Sequence, residues 1–335
     1  SVLDPVFSLR RAFSVAPGES VDVLFGLAAS EELQELGDIV QQASSPAAID
    51  GNLHDDATCA TASDESSDRG HALPTSATGK DSISASNPSE EDAERWASVD
   101  SPAMYRSAAS PMQGALDWTE PLQHDNGLGG FSTDGTEYVV RLRPDDDGNL
   151  LLPPMPWVNI VSNEQIGFIV SESGAGYTWA GNSRLNRLTP WHNDPIADPH
   201  GEAIYIRDTD AKTFWSPTPG PIRQPADYEV RHGFGYTRFR HISNEFVHEL
   251  NQLVHREGAI KISCVRLTNT SDRIRRISLF SYDHWDLTDG DSAARSATNT
   301  AIDSRRGAIF ATNDQRGVFA ENCSFAALIL SLIHI

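Results

Sequence analysis

An all-β fold built as an antiparallel sandwich is predicted by three features of this sequence. From Leu116 onward, short apolar runs recur at regular spacing, and clusters of Gly, Pro, Asn and Asp separate them. No convincing amphipathic helix interrupts the series. Six of the seven tryptophans fall in this stretch, supplying the large side chains a sandwich core needs.

The chain divides into three parts, 1–42, 43–115 and 116–335. In the first, Val6 to Phe13 and Val21 to Phe25 flank the turn pair Pro17-Gly18, and their alternation predicts a β-hairpin. Ser30 before Glu31 and Glu32 is an N-cap signal, and Leu33, Leu36, Ile39 and Val40 form a short stripe, so a helix is expected over 31–42. A hairpin and one helix cannot close a core, and their partners are expected upstream, in a preceding sandwich of which 1–42 is the tail.

The part 43–115 is rich in Ser, Ala, Thr, Asp and Glu, with Arg69, Lys80 and Arg95 as its few cations as far as Arg95. Such a composition does not offset chain entropy by apolar burial, and a largely disordered linker is expected. In the third part strands are expected at Glu137 to Leu142, Trp157 to Val161, Gly167 to Ser171, Ala203 to Arg207, Ile260 to Leu267 and Arg276 to His284. The last two flank Asn269-Thr270-Ser271-Asp272 and read as a hairpin. From Phe325 the chain is almost wholly apolar to its end, the pattern of a buried strand, and a strand left unpaired there marks the sequence as a fragment.

With 26 Lys and Arg against 47 Asp and Glu, the net charge of -21 repels phosphate backbones and anionic lipid, so no nucleic-acid partner is expected. Cys59, Cys264 and Cys323 are too dispersed for a zinc site or disulfide framework, which fits a reducing compartment. No signal peptide or membrane-spanning run is found. Gly127 to Gly130 and Gly174 to Gly176 fail to complete a dinucleotide fingerprint, since Ser132 and Trp179 stand at the third glycine position; both read as turns. His192, Asp194, His200 and Glu202 share one loop but lack metal-site spacing on one face, and no metal is expected. No G-x-S-x-G nucleophile elbow is present.

The densest polar and aromatic stretch runs from Ser171 to Pro195. Sugars are held by aromatic faces against their C–H surfaces and by amides, carboxylates and guanidinium groups against their hydroxyls. Trp179, Asn182, Arg184, Asn186, Trp191, Asn193 and Asp194 supply those types and are the expected carbohydrate contacts. A second reading of the same residues makes Trp179 and Trp191 core anchors, with Arg184 and Asp194 paired to fix the loop.

Longer strings carry a resemblance. Gln123 to Phe131, Pro156-Trp157-Val158-Asn159, Ser171 to Trp179, Leu188 to Pro195, Gly201 to Asp208, Trp215 to Pro219 and Gly235 to Phe239 resemble the β-supersandwich that begins the catalytic module of glycoside phosphorylases. That family includes cellobiose phosphorylase and the phosphorylase-like end of cyclic β-1,2-glucan synthases, and its sandwich is galactose-mutarotase-like. The matching strings span about residues 122 to 290. Leu3 to Arg10 resembles the tail of an earlier sandwich copy, an arrangement that favours the cyclic glucan synthases. Ser331 to Ile335 departs from the family pattern.

The resemblance implies a carbohydrate-active hexosyltransferase working on β-glucans, with UDP-glucose as donor and inorganic phosphate as a co-substrate of the parent protein. It implies a bacterial inner-membrane parent, with this region soluble and cytoplasmic. The family's catalytic acid belongs to an (α/α)6 barrel after the sandwich, so no catalytic residue is assigned in this chain, and the isolated chain is expected to be inactive. Expected partners are a β-glucan oligosaccharide, that barrel and a second copy in a homodimer. Two alternatives stay open: a non-catalytic carbohydrate-binding sandwich, and the N-terminal domain of a cellobiose- or cellodextrin-type phosphorylase. A mutarotase-like enzyme is a further reading.

Overall fold

The computed structural model describes residues 6–30, 114–288, 297–303 and 307–334. The helix expected over 31–42 and nearly all of the segment 43–115 lie outside them. The described residues are strands and loops, with one 3-10 turn at Gly317–Phe319 and no α-helix among them.

The described residues form three antiparallel sheets. The largest contains β2 (Ser20–Ser30), β3 (Gly129–Phe131), β4 (Tyr138–Leu142), β10 (Tyr228–Gly233), β11 (Tyr236–Ser243), β12 (Phe246–Val254), β13 (Ile260–Asn269), β15 (Asn299–Asp303), β16 (Ala308–Thr312) and β17 (Cys323–His334). Its strand order is β15-β16-β17-β2-β13-β12-β11-β10-β4-β3. A second sheet runs β1-β14-β8-β9, from β1 (Val6–Val15), β8 (Glu202–Asp208), β9 (Thr213–Trp215) and β14 (Arg275–His284). The third is β5-β6-β7, from β5 (Val158–Ser162), β6 (Ile166–Ser171) and β7 (Gly176–Ala180). The strands expected from the spaced apolar runs therefore form, and the antiparallel all-β architecture holds.

Their partners differ from expectation in two places. The hairpin expected of residues 6–25 is not formed: β1 pairs with β14, while β2 lies between β13 and β17. Likewise β13 and β14 do not pair with each other but belong to different sheets. Both connections are arches that carry the chain from one sheet to the other. They run side by side, because Gly18 N–H donates to Asn269 O (2.9 Å) and Asn269 N–H to Glu19 O (3.0 Å). The partners of the first two strands therefore lie downstream in this chain, not in a preceding sandwich. The terminal apolar run is likewise not left unpaired: β17 has β16 on one side and β2 on the other.

Burial explains why the arches win over hairpins. Val21, Val23 and Phe25 of β2 are buried with Val265 and Leu267 of β13, Ile277 and Leu279 of β14, and Ile204 and Ile206 of β8 in one apolar layer between the two larger sheets. A hairpin would leave one apolar face of β2 in water, at roughly 25 cal/mol per Å² exposed. Asp22, the charged residue in that strand, is matched by its register partner Arg266, whose guanidinium donates to both carboxylate oxygens at 2.7 and 2.8 Å. Deeper in the layer, Trp215 Nε1 donates to His248 Nε2 (2.8 Å), and His241 stacks on His248 with ring centroids 4.0 Å apart.

Candidate functional site

Strand periodicity builds the site from β7. Successive side chains point to opposite faces, so Thr178 turns inward and is fully buried, while Tyr177 and Trp179 share the outer face. The close approach of Gly167 makes room for this: a Cβ there would lie 2.4 Å from the Trp179 ring. The chain then makes a tight turn and returns along β7 through the bridge between Trp179 and Arg187. Beyond it, Trp191 comes back over Tyr177. Tyr177 is thereby packed between two tryptophans, with ring centroids 5.3 Å from Trp179 and 5.2 Å from Trp191 and interplanar angles of 39° and 30°. Its hydroxyl donates to Ser183 O (3.2 Å), and the Arg187 guanidinium lies 5.9 Å from its ring centre. Both tryptophans are half-buried, which leaves ring surface for a ligand.

The expected contact residues divide sharply. Asn182 is exposed, but its Oδ1 accepts the Arg184 and Leu185 amides (3.0 and 2.9 Å) and so shapes the turn. Arg184 stands at the exposed crest of that turn, and no hydrogen bond or ion pair engages its guanidinium among the described residues. It is not paired with Asp194. Asn186 is fully buried: its Nδ2 donates to Ala180 O (2.9 Å) and its Oδ1 accepts from Arg316. It is therefore a structural residue and has no group left for a sugar, contrary to expectation.

Residues 188–201 form an arm. Asn193 is exposed with a left-handed backbone (φ 48°). Asp194 is exposed, and its Oδ1 accepts the Ile196 and Ala197 amides (2.9 and 3.0 Å), whose N–H groups hold its carboxyl below the usual range. The arm is tied down by carboxylates the sequence reading did not single out for this role. Glu202 Oε1 accepts from Thr178 (2.6 Å) and Thr189 (2.5 Å), and its Oε2 meets Lys261 Nζ at 2.5 Å. Burial works against its charge, yet the ammonium and the hydroxyls keep its pKa lowered. Asp198 Oδ2 accepts from Ser171 (2.6 Å) and Ser173 (2.5 Å). Ser171 ends β6 and Ser173 lies in the turn that follows, so their convergence on Asp198 comes from the turn and not from strand alternation.

Glu172, between those serines, turns the other way and accepts the Trp157 amide (2.7 Å). Burial, with Asp198 nearby, pushes its carboxyl up to about 7. Trp157 walls a separate cleft of about 570 Å³, lined by Phe131, Tyr138, Trp157, Val158, Asn159 and Phe234 among others. Few polar groups there are free: Asn159 Nδ2 donates to Gly233 O, Tyr236 O and Thr237 Oγ1. The aromatic arm offers the better combination of ring faces and an unengaged cation. No helix among the described residues is long and apolar enough to cross a membrane.

Comparison with known proteins gives a match to the family described as glycosyl hydrolase 94, supersandwich domain, over residues 136–332. The chain is 35% identical over 244 residues to cyclic beta-(1,2)-glucan synthase NdvB of Rhizobium meliloti (strain 1021), covering 72% of this chain and 8% of that protein. It is 34% identical over 157 residues to N,N'-diacetylchitobiose phosphorylase of Vibrio furnissii, covering 46% of this chain and 19% of that protein. With 3-O-beta-D-glucopyranosyl-beta-D-glucuronide phosphorylase of Paenibacillus borealis the identity is 28% over 160 residues, 48% of this chain and 19% of that protein. The chain thus spans a small part of the length of each of these relatives.

Proposed function

Because the chain belongs to the glycosyl hydrolase 94 supersandwich family, we propose that it is the sugar-facing sandwich of a carbohydrate-active protein working on β-glucans, of the cyclic β-1,2-glucan synthase kind. The similarity to NdvB over 72% of this chain supports that choice over a simple disaccharide phosphorylase, for which the cover is 46%. In this reading the sandwich contributes binding and orientation, and the acid that protonates the glycosidic oxygen comes from a helical barrel of the same polypeptide. UDP-glucose and phosphate are substrates of the larger protein and have no site assigned here. The proposed setting is the cytoplasmic side of a bacterial inner membrane, with a homodimer as a proposed assembly.

One observation carries the reading. The turn and arm after β7 bring Trp179, Tyr177 and Trp191 into one aromatic row, and the guanidinium of Arg184, at the exposed crest of that turn, is unengaged among the described residues. The half-buried Trp179 and Trp191 offer ring faces to the C–H surface of a glucosyl unit over the buried Tyr177, and Arg184 donates to its hydroxyls. Asn182, Asn193 and Asp194 frame the approach from exposed positions.

The test is Trp191→Ala, with affinity for β-1,2-linked gluco-oligosaccharides measured by calorimetry and stability by thermal unfolding. We expect affinity to fall about tenfold, the equivalent of one aromatic contact of about 1.4 kcal/mol. The melting temperature falls modestly as Tyr177 loses its cover. Unchanged affinity with a large drop in melting temperature would make Trp191 a packing residue and remove it from the site.

A further inference from the structure

The arm 188–201 is fastened twice by one device, a carboxylate oxygen that accepts two hydroxyls. At the near end Glu202 Oε1 receives Thr178 and Thr189, and at the far end Asp198 Oδ2 receives Ser171 and Ser173. The near fastening is embedded in the fold, because Thr178 and Thr189 are fully buried and Lys261 neutralises Glu202. The far one holds a segment that little else holds. Ile196, at the crest between Asp194 and Asp198, is 95% exposed, so apolar burial does not fix the crest.

The segment is nonetheless one piece. Asp198 N–H donates to Asp194 O (3.0 Å), and Asp194 Oδ1 accepts the two amides between them. Asp198 itself sits in the left-handed region (φ 39°), a conformation that costs about 1 kcal/mol or more for a residue with a side chain and persists where the surroundings impose it. The two serine hydroxyls impose it here. Their oxygens lie 3.0 Å apart and converge on one carboxylate oxygen; without an acceptor at this position one serine could donate to the other, but both could not be satisfied there.

We propose that Asp198 is a positioning residue for the sugar site: the Ser171/Ser173 clamp on its carboxylate sets where Trp191, Asn193 and Asp194 stand before a glucan arrives. This deepens the proposed function and rests on it. Preorganisation of this kind acts on affinity by removing the ordering cost at binding. Asparagine at 198 keeps one carbonyl acceptor for the serines, whereas alanine keeps none.

The experiment compares the full chain with its Asp198→Ala, Asp198→Asn, Arg184→Ala and Trp191→Ala variants. Calorimetry measures affinity for a β-1,2-linked gluco-oligosaccharide, and hydrogen exchange follows the amides of residues 191–201. We expect D198A to lower affinity about tenfold and to speed exchange at Ile196, Ala197 and Asp198, and we expect D198N to recover most of the affinity. A D198A chain that binds like the unaltered protein, while R184A has lost affinity, overturns the positioning role alone. Unchanged affinity in both R184A and W191A overturns the sugar-facing reading and the positioning role with it. If D198A does not fold, Ser171→Ala, which removes one donor, provides the same comparison.

Discussion

Arg184 and Asn186 stand two residues apart, and their surroundings give them opposite roles. Arg184 is exposed and its guanidinium has no partner among the described residues, and Asn186 is sealed between the Ala180 carbonyl and Arg316. Arg184→Ala should weaken glucan binding about tenfold and leave stability within about 0.5 kcal/mol, as for surface substitutions generally. Asn186→Ala should do the reverse, costing about 1–3 kcal/mol because the buried Ala180 carbonyl and the Arg316 guanidinium each lose a partner. Paired calorimetric and thermal-unfolding measurements on the two variants check both directions. The aromatic part of the stretch was legible in the sequence, since Trp179 and Trp191 both pack on Tyr177. Asn186 was misjudged because composition does not reveal which amide the fold encloses. The carboxylate clamps depend on hydroxyls from β6 and β7 meeting Asp198 and Glu202 across the loop, and that meeting is a product of tertiary structure.

Among the elements, strand existence was readable and strand partnership was not. Short apolar runs bounded by Gly, Pro, Asn and Asp located β4, β5, β6, β8, β13 and β14 to within a few residues. The turn residues at Pro17-Gly18 and at 269–272 were equally genuine, but a tight reversal serves an arch between sheets as well as a hairpin within one. What distinguishes them is which apolar faces the rest of the chain covers, a non-local property. Asn269 is the local device that makes its arch. Its Nδ2 donates to Val15 O (2.9 Å) and Arg273 O (2.8 Å), and its Oδ1 accepts from the Ser271 amide and hydroxyl. Asn269→Ala should therefore destabilise by about 1–3 kcal/mol by orphaning buried backbone groups of both arches. The check is chemical denaturation, in which the midpoint falls and the slope stays constant.

At the scale of the whole molecule, buried titratable groups set opposing pH trends. Burial and the neighbouring Glu202 raise Asp283 to about 7, and burial with Asp198 nearby raises Glu172 to about 7. Between an ordinary carboxyl value of about 4 and 7 the folded state binds more protons than the unfolded, so these groups lower stability as pH rises through that window. The buried imidazoles act oppositely. Burial lowers His232 to about 4 and His248 to about 3, so the unfolded state binds more protons below about 6.5 and stability is lost on acidification. Asp283→Asn removes one carboxyl contribution and should raise the melting temperature more at pH 8 than at pH 5. Equal gains at both pH values would mean that Asp283 is not held protonated by its surroundings.

The central claim, that sugar meets the aromatic arm after β7, has a direct spectroscopic test because seven tryptophans are spread through the chain. Trp179 of β7 and Trp191 of the arm flank Tyr177, Trp157 walls the separate cleft, and Trp215 and Trp285 are buried in the core. Titrating the chain with β-1,2-linked gluco-oligosaccharide while following assigned indole N–H resonances reports all of these sites at once. Saturable shifts are expected at Trp179 and Trp191, with Trp157, Trp215 and Trp285 unmoved; shifts confined to Trp157, or none at Trp179 and Trp191, would contradict a sugar site at the arm.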